Sequence, residues 1–437
     1  MNERAPVTRL FVRTQATAAR RPPLSERGLL GWMRDKLFPT PLSGMTTIVG
    51  LLLLVWLIPD LVRFLFIDAV WSASDGEPCR APGAGACWAY VAQKFDFFMY
   101  GAYPREEVWR VNLVLVMGAA LTLWLLWPDA AGKSVAAVGF FVLYPLIAFG
   151  LLTGSSPFPT SWLPETPFGQ IVLSLVLVLI FALGLTLLTV GWRILAFICL
   201  GLVFWTILGS SWTSMNLRHV GTELWGGIFV SLLVATVGIV FSLPLGVVLA
   251  LGRRSEMPVV RFLSILLIEF VRGVPLITVL FMANTMLPLF VPQEWTPDRL
   301  LRPLLGVALF ASVYMAEVVR GGLQAIPKGQ YEGAMSVGLS WSQMMRLIVL
   351  PQALVLVIPG VVNSFIALFK DTTLVAIVGI FDFLRAVDTQ RLDPNWAGPT
   401  ISTTGYIFAA MFYFVFCFAM SRYAAMMERR HSAGRKR

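Results

Sequence analysis

Long apolar runs separated by short polar segments make up most of this sequence, and the runs do not alternate between apolar and polar positions. A helix needs about 20 apolar residues to cross the hydrocarbon core of a membrane, whereas the strands of a membrane barrel alternate. The pattern predicts ten spans, at about 44–66, 111–127, 135–153, 169–190, 194–209, 226–251, 262–291, 303–319, 352–381 and 403–424. We therefore predict an all-α integral membrane protein with about ten transmembrane helices.

Polar segments divide the chain into regions. These are a basic tail at 1–43, an N-terminal extension at 44–219 with about five spans, a C-terminal half at 220–428 with five more, and a second basic tail at 429–437. A long polar loop, 67–108, follows the first span. Ten spans place both termini on one side. Because Lys and Arg concentrate there, the positive-inside rule puts both termini in the cytoplasm, near anionic lipid, and loop 67–108 outside.

Composition agrees with a membrane protein. The chain has 437 residues, of which 57% are hydrophobic and only 13% are charged, against about 25% charged in a typical soluble protein. The net charge of +10 lies mainly in the tails and short loops, as the positive-inside rule expects. The charge therefore does not indicate nucleic-acid binding.

The four cysteines fall into two groups. Cys199 and Cys417 lie in apolar runs, which indicates inert core positions. Cys79 and Cys87 lie in the polar loop 67–108. If that loop is outside the cytoplasm, they form either a disulfide or two free thiols.

The segment 321–350, between spans eight and nine, is long and mixed in polarity. Pro327 suits the first turn of a short helix, because its missing N–H would be unpaired there. Gly338 suits the end of that helix, since glycine enters the left-handed conformation cheaply. Ser340 and Gln343 have the spacing of a capping box that starts a second helix. We predict two short helices with a glycine elbow, too polar to span, which form either a docking element or an ordinary cytoplasmic loop.

Several motifs in this half resemble the polar amino-acid permeases of bacterial ATP-binding-cassette (ABC) importers. The spacing of Glu332, Gly333, Ala334, Gly338, Ile348, Leu350 and Pro351 is similar to the family's EAA loop, E-A-A-x3-G-x9-I-x-L-P, with Gly333 in place of Ala. Further similar stretches are Glu269–Leu276, with Val274 in place of Thr, the run Tyr314–Gln330, and Lys370–Leu374, with Thr373 in place of Ser. The resemblance covers about 220–428. The extra N-terminal spans are similar to the longer permeases of general L-amino-acid and glutamate/glutamine/aspartate/asparagine systems.

The resemblance implies a type I permease core in the last five spans and a multi-pass protein of the bacterial inner membrane. It implies three partners: a homologous permease subunit, a cytoplasmic ATPase dimer that uses ATP and Mg, and a periplasmic amino-acid-binding protein. The residues expected to couple to the ATPase are Gly329, Gln330, Tyr331, Glu332, Gly333, Ala334 and Gly338.

Charged and polar side chains at membrane depth are expensive and need partners or water. The candidates for the substrate pathway are Glu269, Arg272, Tyr314, Asn363, Lys370 and Asp371. Glu269 and Arg272 are three apart on one helical face, and either fix a broken helix as an ion pair or line the pathway. Lys370 and Asp371 are adjacent, point in different directions, and would suit the two charges of an amino acid or contact neighbouring helices.

The sequence lacks a phosphate-binding loop. The nearest match, Gly132-Lys133-Ser134, has Trp127 where the first glycine belongs. With only two histidines, no catalytic or metal-binding constellation is evident, so we expect a transport subunit that binds no cofactor itself. The alternatives are an ion-coupled secondary transporter and a non-transporting membrane assembly protein.

Overall fold

The structure is a computed structural model that describes residues 28–127, 129–155, 217–292 and 296–435. The predicted spans 169–190 and 194–209, together with Cys199, lie outside the described residues. Contacts divide the chain into two compact units, one comprising 1–70 and 82–86 and the other 71–81 and 87–437.

The first unit contains one long membrane helix. Its elements are α1 (Gly28–Leu37), α2 (Pro41–Val62) and a π turn (Arg63–Ile67) that continues α2. A capping box starts α2. The Ser43 N–H donates to Thr40 Oγ1 over 3.2 Å, and the Thr40 N–H donates to Ser43 Oγ over 3.0 Å. These bonds satisfy two backbone N–H groups at the start of the first predicted span.

The second unit carries the remaining helices. They are α3 (Glu77–Arg80), α4 (Trp88–Tyr100), α5 (Val108–Leu126), α6 (Lys133–Val138), α7 (Tyr144–Thr153), α8 (Gly227–Arg253), α9 (Pro258–Arg272), α10 (Leu276–Phe281), α11 (Leu287–Phe290), α12 (Leu301–Ala325), α13 (Lys328–Ser336), α14 (Trp341–Met344), α15 (Leu350–Leu356), α16 (Ile358–Asp371), α17 (Phe383–Gln390) and α18 (Ile401–Arg435). The π turns Gly139–Leu143, Met282–Met286 and Met345–Val349 join α6 to α7, α10 to α11 and α14 to α15, and short 3-10 helices lie at Arg105–Glu107, Thr222–Leu224 and Thr372–Val378. The described residues contain no β-strand, only isolated bridges.

Seven helices of the described chain are long and apolar enough to cross a membrane, and the bent pair formed by α9 and α10–α11 raises the number to eight. These eight match the predicted spans one to three and six to ten. Span seven is broken by a bend of 109° between Pro258–Arg272 and Leu276–Phe290, next to the pair Glu269 and Arg272. The all-α membrane class is confirmed.

The structure differs from the sequence-based boundaries in two places. The loop 67–108 contains a 13-residue helix, α4. The predicted start of span nine at 352 is not a helix boundary, because the helix runs through Pro351 and breaks at Val357. The π turn just before Pro351 accommodates its missing N–H. Pro359 lacks the N–H that would bond back across the break.

The centre of the second unit is the contact between α8 and α12, which pack along their lengths. Glycines permit the close approach. A Cβ added at Gly246 would lie 2.7 Å from Met315 Cβ, and one added at Gly238 would lie 3.0 Å from Val307 Cγ1. Small residues at such crossings are the usual means of close packing between membrane helices. The segments that form the candidate functional site pack against this helix pair or connect to its ends.

Candidate functional site

The segment after α12 forms the elbow that its sequence predicts. Gly338 has a φ of +77°, and its N–H donates to Met335 O over 3.0 Å. The Ser340–Gln343 capping box is present: Ser340 N–H donates to Gln343 Oε1 over 2.9 Å, and Ser340 Oγ accepts from the Gln343 N–H. Since open space surrounds Gly338, the positive φ alone demands glycine there.

The elbow presents an apolar surface. Met335, Val337 and Trp341 are 58%, 73% and 54% exposed. Exposed apolar side chains that lie together on a segment too polar to span form a candidate interaction site. We call Met335, Val337 and Trp341 the elbow surface. Sequence reasoning did not single out Met335 and Val337. The signal that could have found them is their apolar character within a segment that is too polar to span.

The residues expected to couple to an ATPase surround this surface. Gly329, Gln330, Glu332, Gly333 and Gly338 are exposed, whereas Tyr331 is half-buried and Ala334 is buried. Ala334 belongs to the core cluster that includes residues of α12 and of the helix after the elbow. One face of α13 is therefore packed, and the other is free for a partner.

A single tyrosine ties α13 to α8. Arg254 Nη1 donates to the Tyr331 hydroxyl over 3.2 Å, and its guanidinium lies 5.8 Å from the Tyr331 ring centroid. The Tyr331 hydroxyl donates in turn to Leu323 O over 3.2 Å. The hydrogen bond and the cation–π contact place α13 at the end of α8.

Five charged side chains meet at the ends of α8, α9 and α12. The pairs are Arg320–Glu317 at 2.7 Å, Arg253–Glu317 at 3.0 Å, Arg272–Glu317 at 3.5 Å, Arg253–Glu269 at 2.8 Å and Arg272–Glu269 at 4.0 Å. We call Arg253, Glu269, Arg272, Glu317 and Arg320 the ionic cluster. Glu317 is its most buried member, and a carboxylate there needs several cations around it. The geometry makes Glu269 and Arg272 part of a joint between helices.

A cavity of about 280 Å³ lies between α8, α12 and α16. Its polar wall comes from Ser242, Tyr314, Ser364 and Asp371, and Phe310 stands 4.8 Å from Tyr314, ring centroid to ring centroid. Within the described chain, the Asp371 carboxylate has no hydrogen-bond or ion-pair partner. A carboxylate without a partner at membrane depth requires water or a ligand cation. Of the six candidate pathway residues, Tyr314 and Asp371 share this cavity.

Asn363 and Lys370 lie elsewhere on α16. Both are exposed, as are Pro359 and Ala367, and the spacing places these four residues along one side of the helix. Neither Asn363 nor Lys370 has a partner among the residues that the structure describes. Exposure to hydrocarbon would cost several kcal/mol for a charge, so this face must meet protein or water.

The segment that follows α16 is held by a buried carboxylate that the sequence analysis did not identify. Asp382 is fully buried and caps α17, accepting from the backbone N–H groups of Leu384 (3.1 Å) and Arg385 (3.0 Å). Burial raises the pKa of Asp382 to about 6 and outweighs the backbone hydrogen bonds, which favour the charged form and lower the pKa. Ser231 Oγ accepts from the Phe383 N–H over 2.9 Å and joins this turn to α8. An aspartate just before a short helix was the available signal.

The part of loop 67–108 that belongs to the second unit, 71–81 and 87–108, is folded against the start of α18. Cys79 and Cys87 form a disulfide with a Cα–Cα distance of 5.7 Å. The Cys87 N–H donates to Thr404 Oγ1 over 3.0 Å. Arg80 donates to three backbone carbonyls, those of Ala397, Pro394 and Asn395.

An ion pair strengthens the same contact. Lys94 Nζ lies 2.5 Å from Asp393 Oδ2 and holds the pKa of that carboxyl below its usual value. Tyr90 packs on Trp396, with ring centroids 5.9 Å apart. The part of the N-terminal extension that lies in the second unit is thus attached to the C-terminal half.

A membrane-embedded helical unit with a broken helix, a central cavity and an exposed helical elbow is the architecture of the membrane subunit of a transporter. A family model described as the inner membrane component of binding-protein-dependent transport systems matches residues 242–432. The Escherichia coli inner membrane amino-acid ABC transporter permease protein YhdY is 42% identical over 92% of this chain and 93% of its own length. The Rhodobacter capsulatus glutamate/glutamine/aspartate/asparagine transport system permease protein BztC is 40% identical over 96% of this chain and 98% of its own length.

The chain belongs to this family of ABC transporter permease subunits, as the sequence motifs indicate. A solved structure described as an amino acid ABC transporter with histidines has a TM-score of 0.41 and 27% identity, covering 47% of this chain and 92% of its own. The family match and the two sequence relatives support a permease, not an ion-coupled transporter or an assembly protein.

Proposed function

We propose that this chain translocates polar L-amino acids across the bacterial inner membrane, after delivery by a periplasmic amino-acid-binding protein. Two relatives that match nearly the whole chain are named for amino-acid transport. The proposal also places both termini in the cytoplasm, in line with the distribution of Lys and Arg.

The Asp371 carboxylate in the central cavity is the observation that supports an amino acid as the substrate. It has no cation partner in the described chain, and the cavity of about 280 Å³ lies at the small end of ligand pockets. An amino acid brings an ammonium group that can pair with Asp371 and a carboxylate that needs a donor, such as the Tyr314 hydroxyl on the same wall. Phe310 and the aliphatic wall exclude water and strengthen both contacts.

ATP hydrolysis belongs to a partner in this proposal. The elbow surface inserts into a cytoplasmic ATPase dimer, which binds ATP and Mg, while this chain binds no cofactor. Movement of α13 reaches α8 through Tyr331 and Arg254. The adjacent Arg253 belongs to the ionic cluster, which holds the end of α9 just before its break at Gly273. A continuous set of contacts thus leads from the docking element to the broken helix.

A second, homologous permease completes the pathway. The exposed side of α16 with Asn363 and Lys370 requires protein or water opposite it, and a partner permease supplies both. Lys370 then lies where the two subunits meet, available to the carboxylate of the passing amino acid.

The test is reconstitution of the full complex in liposomes, with binding protein, ATPase and partner permease, and measurement of amino-acid-stimulated ATP hydrolysis and uptake. Asp371→Asn should assemble and dock normally but weaken stimulation by zwitterionic and basic amino acids. Asp96→Asn, on an exposed turn of α4, is the matched control and should behave as wild type. Equal stimulation in Asp371→Asn and wild type would show that the cavity does not hold the substrate.

A further inference from the structure

The ends of three membrane helices meet at one boundary of the second unit. α5 ends at Leu126, α6 starts at Lys133, and the last turns of α18 cross beside them. The Tyr423 hydroxyl donates to Leu126 O over 3.0 Å, and Arg430 Nη2 lies 3.1 Å from Asp129 Oδ2. These contacts fix the loop between α5 and α6 against α18.

An open groove of about 640 Å³ lies along this part of α18. Its lining includes Arg422, Arg429 and Arg430. Arg430 is engaged by Asp129, whose pKa it holds below the usual value. Within the described chain, Arg422 and Arg429 have no hydrogen-bond or ion-pair partner, and no acidic residue lines the groove. The groove therefore carries two guanidinium groups without a counter-charge.

Aromatic side chains place this groove at the depth of lipid headgroups. Trp127 is 66% exposed at the end of α5, and Trp124 donates through its indole N–H to Ala131 O over 2.9 Å. Tyr423 contributes an aromatic ring to the groove itself. Trp and Tyr concentrate where apolar spans meet water.

We propose that this groove binds the phosphate-bearing headgroup of an anionic phospholipid. Arg422 and Arg429 offer the planar N–H groups that bind phosphate oxygens in pairs. Met426 and Ala425, also in the lining, provide apolar surface for the first carbons of the acyl chains. All six lining residues lie on α18, and clusters of Lys and Arg at the end of a membrane helix bind such headgroups in general. A lipid seated here would touch α18 of the permease core beside the loop of the N-terminal extension.

A soluble anion or an acidic surface of the ATPase would also be attracted to two arginines. The three converging span ends and the aromatic residues favour a lipid, because they place the charges where a headgroup phosphate lies. The proposal is independent of which substrate the permease carries.

The experiment uses the assembled transporter, delipidated in neutral detergent and titrated with phosphatidylglycerol, with bound lipid counted by native mass spectrometry. Wild type should bind phosphatidylglycerol more tightly than phosphatidylcholine. Each basic side chain near a membrane surface strengthens such binding about fivefold. Arg422→Gln combined with Arg429→Gln should therefore weaken phosphatidylglycerol binding about 25-fold.

Arg261→Gln is the matched control, since Arg261 is exposed on α9 and does not line the groove. It should bind phosphatidylglycerol as wild type does. Unchanged affinity in the double variant, or equal loss in the Arg261 variant, would overturn the proposal. Inorganic phosphate or glycerophosphate that displaced the lipid at equal concentration would show a soluble-anion site and overturn it as well.

Discussion

Replacing Asp371 by Asn removes one negative charge from the central cavity and keeps the shape of the side chain. The carboxylate is half-buried and without a partner in the described chain. Its removal therefore leaves no other buried charge without a partner. We therefore expect insertion, assembly and ATPase docking to be unchanged. The effect should appear in the ranking of substrates.

The magnitude follows from the bond that is lost. A hydrogen bond to a charged group contributes about 1.5–3 kcal/mol and one between neutral groups about 1 kcal/mol. Asn still offers an oxygen to the substrate ammonium but no longer a negative charge, so the loss is about 1–2 kcal/mol, or about 5–30-fold. Every amino acid carries the ammonium group and shares this loss, so the ranking changes through the side chain. Acidic amino acids, whose extra carboxylate no longer faces the charge of Asp371, should gain relative to basic ones. Lys370→Met should shift the ranking in the opposite sense.

Competition uptake into proteoliposomes, with protein loading matched by immunoblot, measures this ranking directly. If Lys370 and Asp371 only hold neighbouring helices, both variants will lose assembly, and any complex that forms will keep the original preference. A well-assembled Asp371→Asn complex with the wild-type ranking would refute the assignment of Asp371 to the pathway.

Three further predictions concern the elbow, the disulfide and the buried cap. Gly338→Val should insert normally but lose transport and ATPase association, because a β-branched residue resists a φ of +77°. Gly50→Ala, in open space at ordinary φ, is the control, and normal uptake by the valine variant would contradict the assignment. Non-reduced peptide mapping should find Cys79 bonded to Cys87, with a loss of about 2–3 kcal/mol on removing the bond, whereas two alkylatable thiols in fresh membranes would exclude it. Because burial raises the pKa of Asp382 from about 4 to about 6, the folded state retains a proton that the unfolded chain releases. Stability should therefore fall by up to about 3 kcal/mol as pH rises from 4 through 6. Asp382→Asn, which still caps the helix, should not show this loss of stability with pH when unfolding is measured in detergent. The same pH dependence of stability in the variant and the wild type would disprove the assignment to Asp382.

Local chemistry was predictable from the sequence. The spacing of Ser340 and Gln343 indicates a capping box, because both partners lie within one helical turn. Likewise, Glu317 and Arg320 are three apart, which places them on one helical face. Elements of this kind depend only on neighbours along the chain.

Features that join distant elements were not predictable. Arg253 bonds to both Glu269 and Glu317, and nothing in the sequence indicates that the ends of α8, α9 and α12 converge. The different surroundings of Lys370 and Asp371 depend on the rotation of α16 against α12, and side-chain packing determines that rotation. Only that rotation puts Asp371 in the cavity and leaves Lys370 exposed.

The N-terminal extension contacts α18 at both ends. At the start of this helix, the Cys87 N–H donates to Thr404. Near its other end, Asp129 pairs with Arg430. Because these contacts are about 26 residues apart on one helix, the extension holds α18 along the full thickness of a membrane.

This attachment bears on transport because α18 packs against the helix that carries Asp371. Phe369 on α16 lies against Phe416 and Phe412 on α18, with ring centroids 5.3 and 6.1 Å apart. The α16 helix therefore has α18 on one side and the cavity on the other. The extension also packs on the start of α8, where Tyr103 lies against Phe229 with ring centroids 6.5 Å apart. The opposite ends of α8 and α12 meet in the ionic cluster, and Arg254 at the end of α8 contacts Tyr331 on α13. The cavity wall formed by α8 and α12 is therefore the wall that a partner docked on α13 can reach.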